Sequence, residues 1–206
     1  MALQTSTAVH GYSASELAGL IRLKQISSRE AVQGLLDRIR QVNPSLNALT
    51  IILEEQALSA ADQADRAVAD ESELGPLHGV PFTVKENIDL GGTSTAHGLK
   101  ALAGSYPGRD APIVERMRGC WGDPNRPVPT FPTSRLDGTP TANCGRDREP
   151  SDNARTPGAS SGGETAALAT GMTPLGLGND TGGSLRWPAQ CCGIGSLKPV
   201  SGNRSR

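Results

Sequence analysis

The chain has 206 residues, and 20 Lys and Arg against 21 Asp and Glu leave a formal net charge of −1. That length suits one domain with a buried core, and the near-zero charge excludes a nucleic-acid surface built on bulk charge. No stretch approaches the ~20 apolar residues of a membrane span, and the first residues lack a basic region followed by an apolar one, so neither a membrane-spanning nor a signal-peptide protein is expected.

The first seventy residues read as helical. Ser13-Ala14-Ser15-Glu16 has capping-box spacing, and Leu17, Leu20 and Ile21 follow on one face. Ser27-Ser28-Arg29-Glu30 repeats the signal ahead of Ala31, Val32, Leu35, Leu36 and Ile39, and Asn43-Pro44 is expected to stop that helix. Residues 49–53 are a short apolar run that reads as a buried strand, and residues 54–70 are Ala-rich and helical. From Gly79 the character changes. Residues 80–85 read as a strand ending on the polar cluster Lys85-Glu86-Asn87, and residues 111–118 as a helix with Pro112 near its start. Further on, residues 164–170 read as a helix, and 174–178 and 193–197 as strands. Helices alternating with short apolar strands predict an α/β layered domain.

Residues 119–150 break the pattern. They carry Pro124, Pro127, Pro129, Pro132, Pro140 and Pro150 with no helical or alternating period, so little regular structure is expected there. The four cysteines, Cys120, Cys144, Cys191 and Cys192, form no C-x-x-C pair, and His10, His78 and His97 are scattered. Reduced thiols in a cytoplasmic protein without a metal site are therefore expected.

Two Gly/Ser clusters point to chemistry. Gly158-Ala159-Ser160-Ser161-Gly162-Gly163-Glu164-Thr165 nearly fits a phosphate-binding loop, but Glu164 stands where a lysine must be and would repel phosphate. Asn179-Asp180-Thr181-Gly182-Gly183-Ser184-Leu185-Arg186 places glycines just before a serine, a backbone that turns several N–H groups one way and suits an oxyanion hole. Ser184 reads either as a nucleophile in need of a base or as the N-cap of a helix. Lys85 reads either as an exposed strand-end lysine or as a desolvated amine able to act as that base. Asp180 and Arg186 are placed to brace the turn as an ion pair, or to remain two solvated charges.

Together these residues resemble the amidase signature family. Lys85 in V-K-E-N, Ser160 in G-A-S-S-G-G-E and Ser184 in D-T-G-G-S-L-R-W-P-A look like its Ser-cisSer-Lys set, and Gly79-Val80-Pro81 and Gly91-Gly92-Thr93-Ser94-Thr95 look like its N-terminal segments. The resemblance implies that Ser184 attacks an amide carbonyl to give an acyl-enzyme. Ser160, after a cis peptide bond, passes the proton, and neutral Lys85 receives it. The N–H groups of Thr181, Gly182, Gly183 and Ser184 would hold the oxyanion. The implied substrate is a small-molecule carboxylic amide, with no cofactor, metal, nucleic acid or membrane, and with a homodimer an option in full-length relatives. Ala159 stands where the family more often has glycine. The implied fold is an amidase-signature-type mixed sheet flanked by helices.

Two departures from the family shape the expectation further. Codons can be written for residues 119–126 that, read one base later, encode A-A-G-A-I-P-I, and a two-base shift from residue 129 gives N-L-P-D-F-A-L-R-W-H-T. Both look like family sequence, so residues 119–151 are read as frame-shifted. Family members also run on well past the length of this chain, so residues 1–206 read as the N-terminal part of one amidase domain, incomplete at the C-terminus and with little activity of its own. Two other functions stand beside an amide hydrolase: a fragment of a glutamyl-tRNA amidotransferase A-type subunit, and a non-catalytic remnant or pseudogene product.

Overall fold

The computed structural model describes residues 9–122, 128, 130–134, 148–152 and 154–199. Two capping boxes start the helical layer. Helix α1 (Ala14–Arg22) is capped by Ser13, whose backbone N–H donates to Glu16 at 2.7 Å, and α2 (Ser28–Leu46) by Ser27, whose N–H donates to Glu30 at 2.8 Å. The reciprocal bonds lower both glutamates' pKa.

Helix α3 (Glu54–Ala69) buries almost only alanines, Ala57, Ala60, Ala61, Ala64 and Ala67, at helical spacing. Small side chains let it lie close against α2, where Val32, Leu35, Leu36 and Ile39 meet Ala57 and Ala61 in one core. Asp65 of α3 accepts from the N–H groups of Ser28 and Arg29, supplying acceptors at the start of α2.

A short sheet lies beside these helices in the order β2-β1-β3, with β1 (Phe82–Lys85) between β2 (Thr130–Ser134) and β3 (Gly176–Leu177). Both pairings among the described residues are parallel. Every residue of β1 is buried. Phe82 and Val84 pack with Ile88, Leu90, Val114 of α4 (Pro112–Gly119) and Trp121, while Thr83 and Lys85 occupy the opposite face. Helix α5 (Gly162–Ala169) adds Ala166 and Ala167 to the helical core, and α6 (Arg186–Cys192) completes the described elements.

Several local expectations are corrected. Helix α2 runs through Pro44 to Leu46 and ends on Asn47, which takes a left-handed conformation at φ 57°. Pro44 lacks the N–H that would meet the Arg40 carbonyl, and the helix ends within a turn of it. Residues 49–53 form no strand. Leu49 makes an isolated β-bridge, and the Asn43 side-chain amide also exchanges two 2.9 Å hydrogen bonds with its N–H and C=O. Residues 193–197 are irregular, following the left-handed cap Gly193 of α6.

The largest correction concerns residues 119–150. Thr130–Ser134 pairs with β1 despite Pro132. The register runs Phe82↔Thr130, then Val84↔Thr133, so β2 spends three steps on two of β1. Proline, lacking an N–H, is accommodated on such an irregular edge strand. Trp121 and Val128 also join the core, and Trp121 Nε1 donates to Val80 O at 3.0 Å. Near the end of the stretch Arg148 N–H donates to Leu46 O at 3.1 Å and Glu149 is buried, while residues 123–127, 129 and 135–147 fall outside the described residues.

Candidate active site

The candidate residues converge where parallel strands β1 and β3 end, the place where open parallel sheets collect ligands. Lys85, the last residue of β1, is fully buried. Its Nζ donates to Ser160 Oγ and to Asn179 Oδ1, both at 2.7 Å. Asn179 Nδ2 in turn donates to Asn87 Oδ1 at 2.9 Å. The reading of Lys85 as an exposed strand-end residue is thereby overturned: β1 is the central strand of the three, and its end is covered by the loop before α5.

Ser160 follows a cis Ala159–Ser160 peptide bond. The next residue ties its loop to the second Gly/Ser cluster. Ser161 N–H donates to Ser184 O at 3.0 Å, and Ser161 Oγ donates to Asn179 O at 3.4 Å. Gly178 makes room for this contact, since a Cβ there would sit 2.8 Å from Leu185 Cδ1 and 3.0 Å from Ser161 Oγ. Ser184 is half-buried, and its hydroxyl has no hydrogen-bond partner among the described residues. It is not a helix N-cap: that position belongs to Leu185, which makes no side-chain cap.

Asp180 organises the turn. Its carboxylate accepts from Gly183 N–H at 2.8 Å, from the N–H groups of Leu185 and Arg186 at the start of α6, and from the Arg186 guanidinium at 2.8 and 3.0 Å. The Arg186 hydrogen bonds, aided by those three N–H groups and opposed by desolvation, hold the Asp180 carboxyl far below the usual carboxylate range. The paired alternative for Asp180 and Arg186 is the one observed. One oxyanion-hole candidate is thereby committed elsewhere, because Gly183 N–H points at Asp180. The N–H groups of Thr181, Gly182 and Ser184 have no acceptor among the described residues.

Glu164, which displaced the phosphate-loop lysine, is buried on α5 and accepts a hydrogen bond from the Thr83 hydroxyl of β1. Gly176 of β3 packs against that carboxylate, leaving no space for a side chain. Thr83 and Lys85 lie on one face of β1, so the acid sits beneath the lysine side of the sheet. Sequence reasoning missed Thr83, Glu164 and Asn179 as members of the site. The period-two alternation of β1 was the signal for Thr83; nothing in the sequence placed the other two.

Cys120, Cys191 and Cys192 are free thiols, and burial raises the Cys192 thiol's pKa. Cys144 lies outside the described residues. Among the described residues no group of three His, Cys, Asp or Glu side chains could hold a metal ion, and no helix is long and apolar enough to cross a membrane.

A serine loop and a Gly-Gly-Ser turn are thus stitched together over a buried strand-end lysine. The profile of the Amidase family matches residues 30–206, and the chain belongs to that family. It is 41% identical over 198 residues to an indoleacetamide hydrolase of Bradyrhizobium diazoefficiens, covering 93% of this chain and 36% of that protein. It is 38% identical over 200 residues to the A-type subunit of the glutamyl-tRNA(Gln) amidotransferase of Acidothermus cellulolyticus, covering 94% of this chain and 38% of that one. The peptide amidase of Stenotrophomonas maltophilia superimposes with a TM-score of 0.79 at 26% identity, over 90% of this chain and 39% of the enzyme. The chain thus spans well under half the length of these relatives.

Proposed function

We propose that these residues carry the nucleophile and proton relay of an amide hydrolase acting on small carboxamides. The observation that supports this best is the 2.7 Å contact between Lys85 Nζ and Ser160 Oγ, residues 75 positions apart in sequence. Burial of Lys85 disfavours its ammonium form, as a base requires. In the forward step Ser184 Oγ attacks the carbonyl carbon, its proton moves to Ser160 Oγ, and the Ser160 proton moves to Lys85 Nζ. The oxyanion is met by the N–H groups of Thr181, Gly182 and Ser184, while Gly183 serves Asp180. The carbon–nitrogen bond then breaks, the leaving amine takes the proton back through Ser160, and an ester remains on Ser184. Water attacks that ester by the same relay and frees the acid.

The indoleacetamide hydrolase relative supports an arylacetamide-like substrate. A cavity of about 790 Å³, lined by Leu175, Leu177, Leu185 and Ile194, lies beside β3 and offers apolar ground for such a substrate. The amidotransferase relatives support a second reading, in which the chain comes from a glutamyl-tRNA amidotransferase A-type subunit.

Acyl transfer can be tested without full turnover. Incubation with a p-nitrophenyl arylacetate followed by acid quench and peptide mapping is expected to place the acyl mass on Ser184 and to show none in Ser184→Ala. Acylation elsewhere, or equal acylation of the variant, would contradict the assignment.

A further inference from the structure

We propose that Asn179, locked by Asn87, is a positioning residue that aims the Lys85 lone pair at Ser160. The proposal rests on Lys85 being the base. A neutral amine has two N–H groups and one lone pair, and Lys85 Nζ meets Ser160 Oγ and Asn179 Oδ1, each at 2.7 Å. An amide oxygen only accepts, so Asn179 claims an N–H and leaves the lone pair for the Ser160 hydroxyl proton. The amide is held the right way round because its Nδ2 donates to Asn87 Oδ1 at 2.9 Å. Turned over, it would set oxygen against oxygen at Asn87 and an N–H₂ against the lysine.

The choice of amide over carboxylate matters. An oxygen with a full charge at that distance would hold Lys85 as ammonium and abolish the base. The adjacent acid, Asp180, faces away, bound by Arg186 and the start of α6. Of the nearby acids, Glu164 of α5 accepts from Thr83, and Glu86 accepts from Gly98 N–H at 3.2 Å. Asn179 therefore offers the lysine a hydrogen-bond acceptor without a charge.

The test reads the lysine directly. The chain contains four lysines, Lys24, Lys85, Lys100 and Lys198, so ¹³Cε-labelled lysine gives a spectrum simple enough to titrate, with Lys85 assigned by its loss in Lys85→Arg. Asn179→Asp is expected to raise the proton affinity of Lys85 by at least about tenfold. Asn87→Ala, which frees the amide to turn, is expected to lower it, and Asn87→Asp, which keeps an acceptor for Asn179 Nδ2, is expected not to. Titration midpoints unchanged in both Asn179→Asp and Asn87→Ala would overturn the proposal. The underlying reading fails separately: if Lys85→Met labels Ser184 with a fluorophosphonate as fast as wild type, Lys85 is not the base and the positioning role falls with it.

Discussion

Replacing Gly158 with alanine tests how the Ser160 loop is held. Gly158 has φ +87°, where an L side chain is strained by about 1–3 kcal/mol. An added Cβ would lie 2.8 Å from Pro188 Cα and 3.1 Å from Pro188 N. Carbon atoms pack at about 3.5–4.0 Å, so the loop and α6 must part by about 0.7 Å or more. Pro188 is buried and the clash is with its backbone, so no rotamer change relieves it. Overpacking of this kind adds about 1–3 kcal/mol, for a total of about 2–6 kcal/mol. The displacement falls two residues from Ser160, and a misplacement of about 1 Å costs roughly a hundredfold in rate. Gly158→Ala should therefore melt several degrees lower by circular dichroism. On the fraction that remains folded, fluorophosphonate labelling of Ser184 should slow by about ten- to a hundredfold. A variant that melts within about 1 °C of wild type and labels at the wild-type rate would refute the reasoning.

Trp121→Ala should destabilise the chain by about 3–5 kcal/mol in urea titrations, because it empties a buried site beside Phe82 and orphans Val80 O; a neutral effect would mean that this stretch does not belong to the core. Ser27→Ala should cost about 1 kcal/mol in the same assay through loss of the α2 capping box. Asp180→Asn should weaken the Ser184 turn in a pH-dependent way. Because folding lowers the Asp180 pKa, its stabilisation is fully present above the unfolded carboxylate value of about 4 and is lost as pH falls through the lower folded value. The wild-type advantage in melting temperature over Asp180→Asn should thus be complete at neutral pH and shrink only in strong acid.

The parts of the fold that depend on neighbouring residues were legible in the sequence. The Ser13 and Ser27 capping boxes, the apolar faces they introduce and the β1 strand ending at Lys85 all rest on interactions within a few positions. What was illegible depends on partners distant in the chain. Pro132 argued against a strand, and only the register slip beside β1 explains its place in one. In the site, Lys85, Ser160 and Ser184 were named from a motif, whereas Asn179 emerged from a hydrogen bond spanning 94 positions. Gly183 was assigned to the oxyanion, but the Asp180 carboxylate three residues earlier turns back on its N–H.

The central claim is that Ser184 is activated through Ser160 by Lys85, and the rate of Ser184 labelling by a fluorophosphonate near neutral pH measures that activation most directly. The account predicts that Ser160→Ala and Lys85→Met each slow labelling by about 10²–10⁴-fold, the usual worth of a positioned base, and that the double variant is little slower than either single one, because the two residues act as one relay. Labelling at the wild-type rate in either single variant, in a chain that circular dichroism shows to be folded, would contradict it.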